Sequence, residues 1–383
     1  MIVLETKALR NYLQELTMKR LKVERITIAL FDMIDSYYRP DSLYELDKSF
    51  EMQKLQDKTV EDSARDNYLH VMTILEGLRK RGIDPEEALN LLDIWRNAKV
   101  FSPDDFADDP YYKNIKFDKP VTDGDFTIRR LRHYPYELFC YDTSELHPEL
   151  FIDIPRIGSF DKRFDYYGIR QDSKNFTWMS ITPSEMITMK KGIEDVTGRV
   201  LALGLGMGYF AYMAALKPEV ERIDVIEISP DVIRLFESHI RPQFPKEIGD
   251  KINIIEADAI NYITAINDSM YDFCYADIWQ GPFETDTFMR VREIMKRYPG
   301  IKTEYWIETA YLRRLQQYII IDMMSTMMPG ADLGYLLQYS NNRECRYISA
   351  LYEDITISKP EDLASVIADD FLLERMDSSD VAY

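Results

Sequence analysis

An apolar segment that runs directly into three alternating glycines constrains the fold of this chain most strongly. The run Arg199 to Leu203 has the pattern of a buried strand, and Gly204, Gly206 and Gly208 follow it before a helix-forming segment begins. Glycine tolerates positive φ and leaves no Cβ between the backbone and a ligand. The amides at the start of the next helix point into the same space. The pattern predicts a nucleotide-type turn in a parallel α/β domain.

An acidic residue ends the next predicted strand, Ile223 to Glu227. At this distance from the glycine turn, a carboxylate accepts hydrogen bonds from both ribose hydroxyls of a bound nucleoside. A dinucleotide fingerprint would need its third glycine at position 209, which is Tyr209, so NAD is the weaker interpretation. Alternating glycines with an acidic second strand are typical of S-adenosylmethionine enzymes. A glycine turn that binds nothing is the remaining alternative.

Two further acidic residues follow apolar runs. Residues 251–259 are predicted to form a third strand that ends at Asp258, and residues 271–282 a fourth that ends at Asp277. The carboxyl ends of parallel strands meet at the edge where ligands bind, so the glycine turn and the three acids are expected to converge on one crevice. Asp258 would contact an adenine amino group or cap a helix, and Asp277 would face the reactive end of the ligand or serve a turn.

From about residue 178 to residue 282, the chain resembles the spermidine synthase-like branch of the class I S-adenosylmethionine-dependent methyltransferases. The matching positions are Glu185-Met186 before the first strand, Val200 to Gly208 at the turn, Ile226-Glu227-Ile228 at the ribose acid, Asp258 and Asp277. The resemblance implies a Rossmann-like, mostly parallel sheet and S-adenosylmethionine as the cofactor.

The resemblance also implies roles for single residues. Glu227 and Asp258 would hold the nucleoside beside the glycine turn, and Asp277 would be the catalytic residue that orients or deprotonates an acceptor amine or hydroxyl. Trp279, which would stack on the acceptor, and Gln280 are the candidate substrate-binding residues.

Three substrate-reading positions depart from the aminopropyltransferases of that branch. Met207 replaces the aspartate that pairs with the amine of the decarboxylated donor, Pro183-Ser184 replace Tyr-Gln, and Gln280 replaces the second aspartate of Asp-x-x-Asp. A buried ammonium without a carboxylate partner is costly, whereas an apolar Met207 would not repel the carboxylate of intact S-adenosylmethionine. We therefore expect a methyltransferase acting on a small-molecule acceptor. An aminopropyltransferase and a noncatalytic S-adenosylmethionine-binding protein are the alternatives.

Charge and composition restrict the classes of partner, metal site and location that are expected for this chain. The 66 acidic residues against 47 basic ones give a formal charge of −19, which opposes binding to a nucleic-acid backbone. The three cysteines and four histidines lie far apart, so neither a metal site nor a disulfide framework is expected. The N-terminus lacks a signal profile and no apolar run is long enough to span a membrane, so a cytoplasmic location is expected. The long apolar helices suggest a homodimer.

Periodicity divides the chain into three predicted parts. Residues 1–105 form an all-helical N-terminal domain, 120–182 a small β-rich segment, and 183–383 the Rossmann-like S-adenosylmethionine-binding domain. The acidic, proline-bearing stretch from Ser102 to Pro110 is the predicted linker. The remaining predicted elements are helices over residues 85–98, 285–297, 306–328 and 361–376 and one or two strands within 334–351.

Overall fold

The computed structural model describes residues 2–3, 6–84, 86, 98–327 and 343–383. Its N-terminal region is helical, as predicted, with α1 at Lys7–Asp35, α2 at Leu43–Gln56 and α3 at Arg65–Lys80. Helix α1 begins at Thr6, whose hydroxyl accepts the Leu9 amide, and its apolar residues recur at helical spacing. The helix predicted over residues 85–98 lies, apart from residues 86 and 98, outside the described residues.

Two small sheets follow the helices. Their strands are β2 (Lys99–Phe101), β3 (Val121–Asp123), β4 (Phe126–His133), β5 (Phe139–Leu146), β6 (Asp153–Phe160), β7 (Phe164–Gln171) and β8 (Phe176–Ser180). The first sheet has the order β2-β6-β5, and the second is an antiparallel sheet with the order β3-β4-β7-β8. Strand β2 lies within the region predicted to be all-helical, yet it pairs with β6. A two-residue strand β1 (Ile2–Val3) pairs in parallel with residues near the C-terminus, at Thr356–Ile357.

The predicted linker is an ordered part of the fold. Ser102 caps a short 3₁₀ helix, Pro103–Phe106, through a capping box with Asp105. The Phe106 ring is buried and lies 5.4 Å from the ring of Phe164, centroid to centroid. The stretch is therefore packed onto the β-rich segment. Its acids serve as caps and solvent-facing side chains.

A five-stranded parallel sheet forms the second half of the chain. Its strands are β9 (Gly198–Leu203), β10 (Val220–Glu227), β11 (Ile252–Glu256), β12 (Phe273–Ala276) and β13 (Lys302–Tyr305), in the order β11-β10-β9-β12-β13. The strand order reverses at β9, which leaves a crevice between the carboxyl ends of β9 and β12. This all-parallel order confirms the predicted Rossmann-like α/β fold, and it adds the fifth strand, β13, that the sequence patterns did not indicate.

Helices fill the connections and the C-terminal region. They are α4 (Pro110–Asn114), α5 (Pro183–Thr188), α6 (Lys190–Asp195), α7 (Tyr209–Ala215), α8 (Pro230–Leu235), α9 (Lys246–Gly249), α10 (Ala259–Thr264), α11 (Thr285–Met295), α12 (Glu308–Met327), α13 (Arg343–Leu351), α14 (Pro360–Ile367) and α15 (Asp369–Ser378). The strands predicted within residues 334–351 are wrong over 343–351, which is helical, and residues 334–342 lie outside the described residues. The last predicted helix is two helices, which meet at Ala368. Strand β14 (Thr356–Ile357) completes the described elements.

Both faces of the parallel sheet are buried, in alternation along each strand. On β9, Leu201 and Leu203 belong to one core cluster, whereas Val200 and Ala202 belong to the other. The first cluster also holds the apolar face of α1, which packs with α12 across the Arg20 to Gln317 hydrogen bond. The division into three domains stays a prediction. None of the described helices is long and apolar enough to cross a bilayer.

Candidate functional site

The glycine turn is built for close approach at the end of β9. Gly204, Gly206 and Gly208 all have positive φ, of 96°, 52° and 75°. A Cβ on Gly204 would lie 2.0 Å from the carbonyl oxygen of Asp277, and a Cβ on Gly206 would lie 2.6 Å from the methyl carbon of Met179. The turn therefore admits only glycine where it meets the end of β12. The predicted strand-turn-helix context of the three glycines is present.

Glu227 ends β10 with a buried carboxylate that is tied to the turn. Its Oε2 accepts the amide of Leu205 at 3.1 Å, and its Oε1 accepts the amide of Ser229 at 2.8 Å. Burial raises the pKa of this carboxyl, and the backbone hydrogen bonds lower it by a smaller amount. Each carboxylate oxygen has a second lone pair, so both can still accept a ribose hydroxyl. The role of Glu227 as a ribose-binding acid stays a prediction.

Asp258 lies just after β11 and caps α10. One carboxylate oxygen accepts the Asn261 amide at 2.8 Å, and the residue is half-buried. Capping holds the side chain in one orientation at the crevice edge. The two interpretations of Asp258, as a helix cap and as an adenine contact, are therefore compatible, because the cap uses one carboxylate oxygen.

Asp277 follows β12 directly, opposite the glycine turn. Its backbone amide donates to the Leu203 carbonyl at 2.9 Å, which extends the β9 to β12 pairing by one residue. None of the hydrogen bonds and ion pairs formed among the described residues uses its carboxylate. Burial raises the pKa of Asp277 to about 8. A half-buried carboxyl without a protein partner at a ligand edge is the expected state of a group that serves a ligand.

Glu185, which the resemblance matches before the first strand without giving it a role, is an acid at the start of α5. It is the third residue of α5, where its Oε2 accepts the Thr182 amide at 3.0 Å in a capping box. Burial is the largest cause that raises the pKa of Glu185 to about 8, and the negative charge of Asp277 adds to it. The Thr182-to-Glu185 capping signature predicts the helix start that the structure shows.

The two candidate substrate-binding residues take different positions. Trp279 is 4% exposed, its ring packs edge-on against Phe288 and Tyr311, and its Nε1 donates to the Trp306 carbonyl at 3.2 Å. This packing corrects the expectation that Trp279 stacks on an acceptor, because both the ring and its donor are already engaged. Gln280 is exposed, and its backbone amide donates to the Glu284 carboxylate at 3.2 Å.

Met207 also differs from its expected role. Its side chain is fully buried in the core cluster on the α7 face of the sheet, and its carbonyl accepts the Tyr111 hydroxyl at 2.5 Å. An aspartate at this position would be a charge in the core. Met207 therefore supports the turn from behind, and the structure shows no contact by which it would act on a donor's carboxylate.

The acids at the strand ends have no cationic partner in the described part of the chain. The carboxylates of Glu227, Asp258 and Asp277 form no ion pair with a lysine or arginine there. A ligand that carries positive charge would favour the ionised forms of these acids, and in that form they would repel a diphosphate at the turn. Within the same part of the chain, no three His, Cys, Asp or Glu residues come together as a metal site.

The raised pKa of Asp277 predicts a pH dependence of stability. A carboxyl with a pKa near 8 in the folded protein and 3.8 as its ordinary value stabilises the fold at low pH, and that contribution is lost as the pH rises through about 8. Asp277→Asn removes this loss. Urea unfolding at pH 5 and pH 9 should show a smaller drop for the variant, by about 2 kcal/mol after allowance for residual hydration. Equal drops in both proteins would mean that Asp277 ionises normally.

No protein-family model matches this chain, and no curated protein matches it in sequence. Solved structures match parts of it. Precorrin-8W decarboxylase of Methanobacterium thermoautotrophicum has 18% identity over 37% of this chain and 72% of that chain, with a TM-score of 0.26. Precorrin-6y C5,15-methyltransferase of Geobacter metallireducens has 16% identity over 31% and 58%, with a TM-score of 0.24. Spermidine synthase of Thermotoga maritima has 14% identity over 39% and 58%, with a TM-score of 0.29.

The matched regions thus cover 58% of the methyltransferase chain and 58% of the synthase chain. The strand order and the glycine turn define the class of this protein, an α/β protein with a Rossmann-like sheet.

Proposed function

We propose that this chain is an S-adenosylmethionine-dependent methyltransferase that acts on a small-molecule acceptor. The observation that carries the proposal is a glycine turn at the sheet's switch point with three acids, Glu227, Asp258 and Asp277, at the strand ends, none of them ion-paired to a lysine or arginine of the described residues. A sulfonium ligand suits this charge, and a dinucleotide does not. The partial resemblance to the spermidine synthase-like branch supports a donor with an S-adenosyl group, either S-adenosylmethionine or its decarboxylated form.

Each residue of the crevice would contact a different part of the ligand. The glycine turn would lie along the methionine part, Glu227 would accept the ribose hydroxyls and Asp258 the adenine amino group. Bound S-adenosylmethionine supplies an electrophilic methyl group. Asp277, opposite the turn, would hold the acceptor's nucleophile in line with that methyl and take up its proton.

An aminopropyltransferase is the second candidate, because a crevice rich in carboxylates also favours a decarboxylated donor, which has an ammonium and no carboxylate. Mass spectrometry of acceptors after incubation with each donor separates the two reactions. Addition of a methyl group from S-adenosylmethionine supports the proposal, and addition of an aminopropyl group from the decarboxylated donor replaces it. Donor binding without turnover across a broad acceptor panel would favour the noncatalytic alternative.

Glu227→Ala is expected to weaken S-adenosylmethionine binding by about 1 to 3 kcal/mol, since the ribose loses its hydrogen-bond acceptor. Equilibrium binding measures the change. Asp224→Ala is the matched control, because Asp224 is a buried acid on the same strand whose carboxylate bonds Tyr271 and Asn253 away from the crevice. The control should lower stability and leave the affinity unchanged. Equal losses of affinity in the two variants would mean that Glu227 acts only through the fold.

The cytoplasmic location, the homodimer and the absence of nucleic-acid and membrane partners stay predictions.

A further inference from the structure

We propose that residues 109–114 set the shape of the glycine turn, and that Tyr111 is the positioning residue through which they act. Because the turn would lie along the methionine part of the donor, the effect on donor binding rests on the proposed function. The hydrogen bonds between this 109–114 segment and the turn do not depend on a ligand, so their effect on the turn can be measured without a donor.

Side chains of the 109–114 segment bond to α7, the helix that follows the glycine turn. The carboxylate of Asp109, which also caps α4, accepts the Tyr209 hydroxyl at 2.8 Å. At the other end of the segment, the side-chain amide of Asn114 donates to the Tyr212 hydroxyl at 3.1 Å. Because Tyr209 and Tyr212 are three residues apart on one helix, these two bonds hold the segment along the first turn of α7.

The peptide between Met207 and Gly208 is held at both of its polar groups. The Met207 carbonyl accepts the Tyr111 hydroxyl at 2.5 Å, and the Gly208 amide donates to the Leu205 carbonyl at 2.7 Å. Tyr111 is 2% exposed and belongs to the same core cluster as the Met207 side chain. Among the described residues, this hydroxyl is the one donor to the Met207 carbonyl. The carbonyl is therefore satisfied inside the core by Tyr111.

The turn depends on this hydrogen bond because glycines flank the peptide. Gly206 and Gly208 have φ values of 52° and 75°, and glycine also adopts negative φ at little cost. A carbonyl in the core without a donor is unfavourable. A protein without the Tyr111 hydroxyl therefore rotates the Met207–Gly208 peptide toward water, which breaks the bond from the Gly208 amide. The turn lies at the end of β9, where the crevice opens, so the rotated carbonyl occupies space proposed for the donor.

The next residue of the segment anchors it on the β-rich strands. The Tyr112 hydroxyl donates to the Asp165 carbonyl on β7 at 2.5 Å, and the Tyr112 ring stacks on Phe164 with centroids 5.2 Å apart. The hydroxyls of Tyr111 and Tyr112 thus bond to different parts of the fold, the glycine turn and β7. The segment that the sequence predicts as part of a linker therefore fixes the turn relative to the β-rich strands.

Tyr111→Phe removes the hydroxyl and keeps the ring in the core. We expect the dissociation constant of S-adenosylhomocysteine to rise about tenfold, because only a fraction of the molecules keeps the turn in the shape that binds. The KM for the donor should rise in parallel. At saturating donor, kcat should stay within about twofold of the wild type, since the bound donor restores the turn. A loss of stability alone would not separate KM from kcat in this way.

Tyr112→Phe is the matched control. It makes the same chemical change at the next residue of the same helix, and it also removes a hydrogen bond of 2.5 Å to a backbone carbonyl. The control should lower the stability of the protein and leave the dissociation constant of S-adenosylhomocysteine unchanged. Equal weakening of binding in the two variants, or wild-type affinity in Tyr111→Phe, would overturn the inference.

Amide hydrogen exchange of the unliganded protein separates this inference from the proposed function. The Gly208 amide, which donates to Leu205 in the closed turn, should exchange about tenfold faster in Tyr111→Phe than in Tyr112→Phe. Mass spectrometry of peptides that span residues 204–209 measures the rate. Equal exchange in the two variants would contradict the inference. If exchange is faster in Tyr111→Phe alone and the wild type binds no donor, the proposed function fails and the role of Tyr111 in the turn stands.

Discussion

Asp277→Asn is expected to lower kcat by about a hundredfold to ten-thousandfold while the dissociation constant of the donor changes little. The amide keeps the size of the side chain and the backbone bond to Leu203, and it loses the ability to take a proton. A group that acts mainly in the transition state has this kinetic signature. Turnover of the best acceptor from the panel, with donor affinity measured in parallel, checks the result.

Asp272→Asn is the control for this substitution. Asp272 lies at the opposite end of β12, where it is exposed and pairs with Arg199 at 2.9 Å. Its loss should affect neither kcat nor affinity by more than a small factor, because surface ion pairs contribute little. If Asp277→Asn weakens donor binding as much as it slows turnover, Asp277 is a binding residue and the proposed base is another group.

Gly204→Ala is expected to lower the free energy of unfolding by about 3 kcal/mol and to abolish donor binding. Its methyl group would lie 2.0 Å from the Asp277 carbonyl oxygen, on a backbone with a φ of 96°. Both the left-handed backbone and the overpacking disfavour alanine. Relief of the clash would separate β9 from β12 at the crevice. Urea unfolding and donor titration measure the two effects.

Gly249→Ala provides the comparison. Gly249 is in helix α9 and has a negative φ, and the nearest atom to an added Cβ, the Arg241 Nε, is 4.0 Å away. This substitution should be neutral or slightly stabilising, because alanine favours helix. A Gly204→Ala protein as stable as Gly249→Ala would mean that the turn is looser than its close contact with Asp277 indicates.

The sequence predicted the parallel sheet and the residues at the carboxyl ends of its strands because the signals are local. The signal at the turn is three glycines after an apolar run, which few backbone conformations other than a strand-turn-helix accommodate. The signal on each following strand is a single acid at its end. Gly204 and Glu227 are in the predicted places for that reason. The fifth strand, Lys302–Tyr305, lacked such a signal, since its four residues alternate charged and polar side chains without an apolar run.

The rest of the site depended on tertiary packing. Trp279 is a residue type that often stacks on ligands. Only its contacts with Phe288 and Tyr311 show that it belongs to the core. The segment from Ser102 to Pro110 has a linker's composition, and the burial of Phe106 shows that it is packed.

Calorimetric titration of the purified protein with S-adenosylhomocysteine, with NAD in a parallel titration, tests the central claim most directly. We expect S-adenosylhomocysteine to bind with a dissociation constant in the micromolar range, about −8 kcal/mol, and NAD neither to bind nor to compete. Binding of NAD without any response to S-adenosylhomocysteine would contradict the assignment of the crevice.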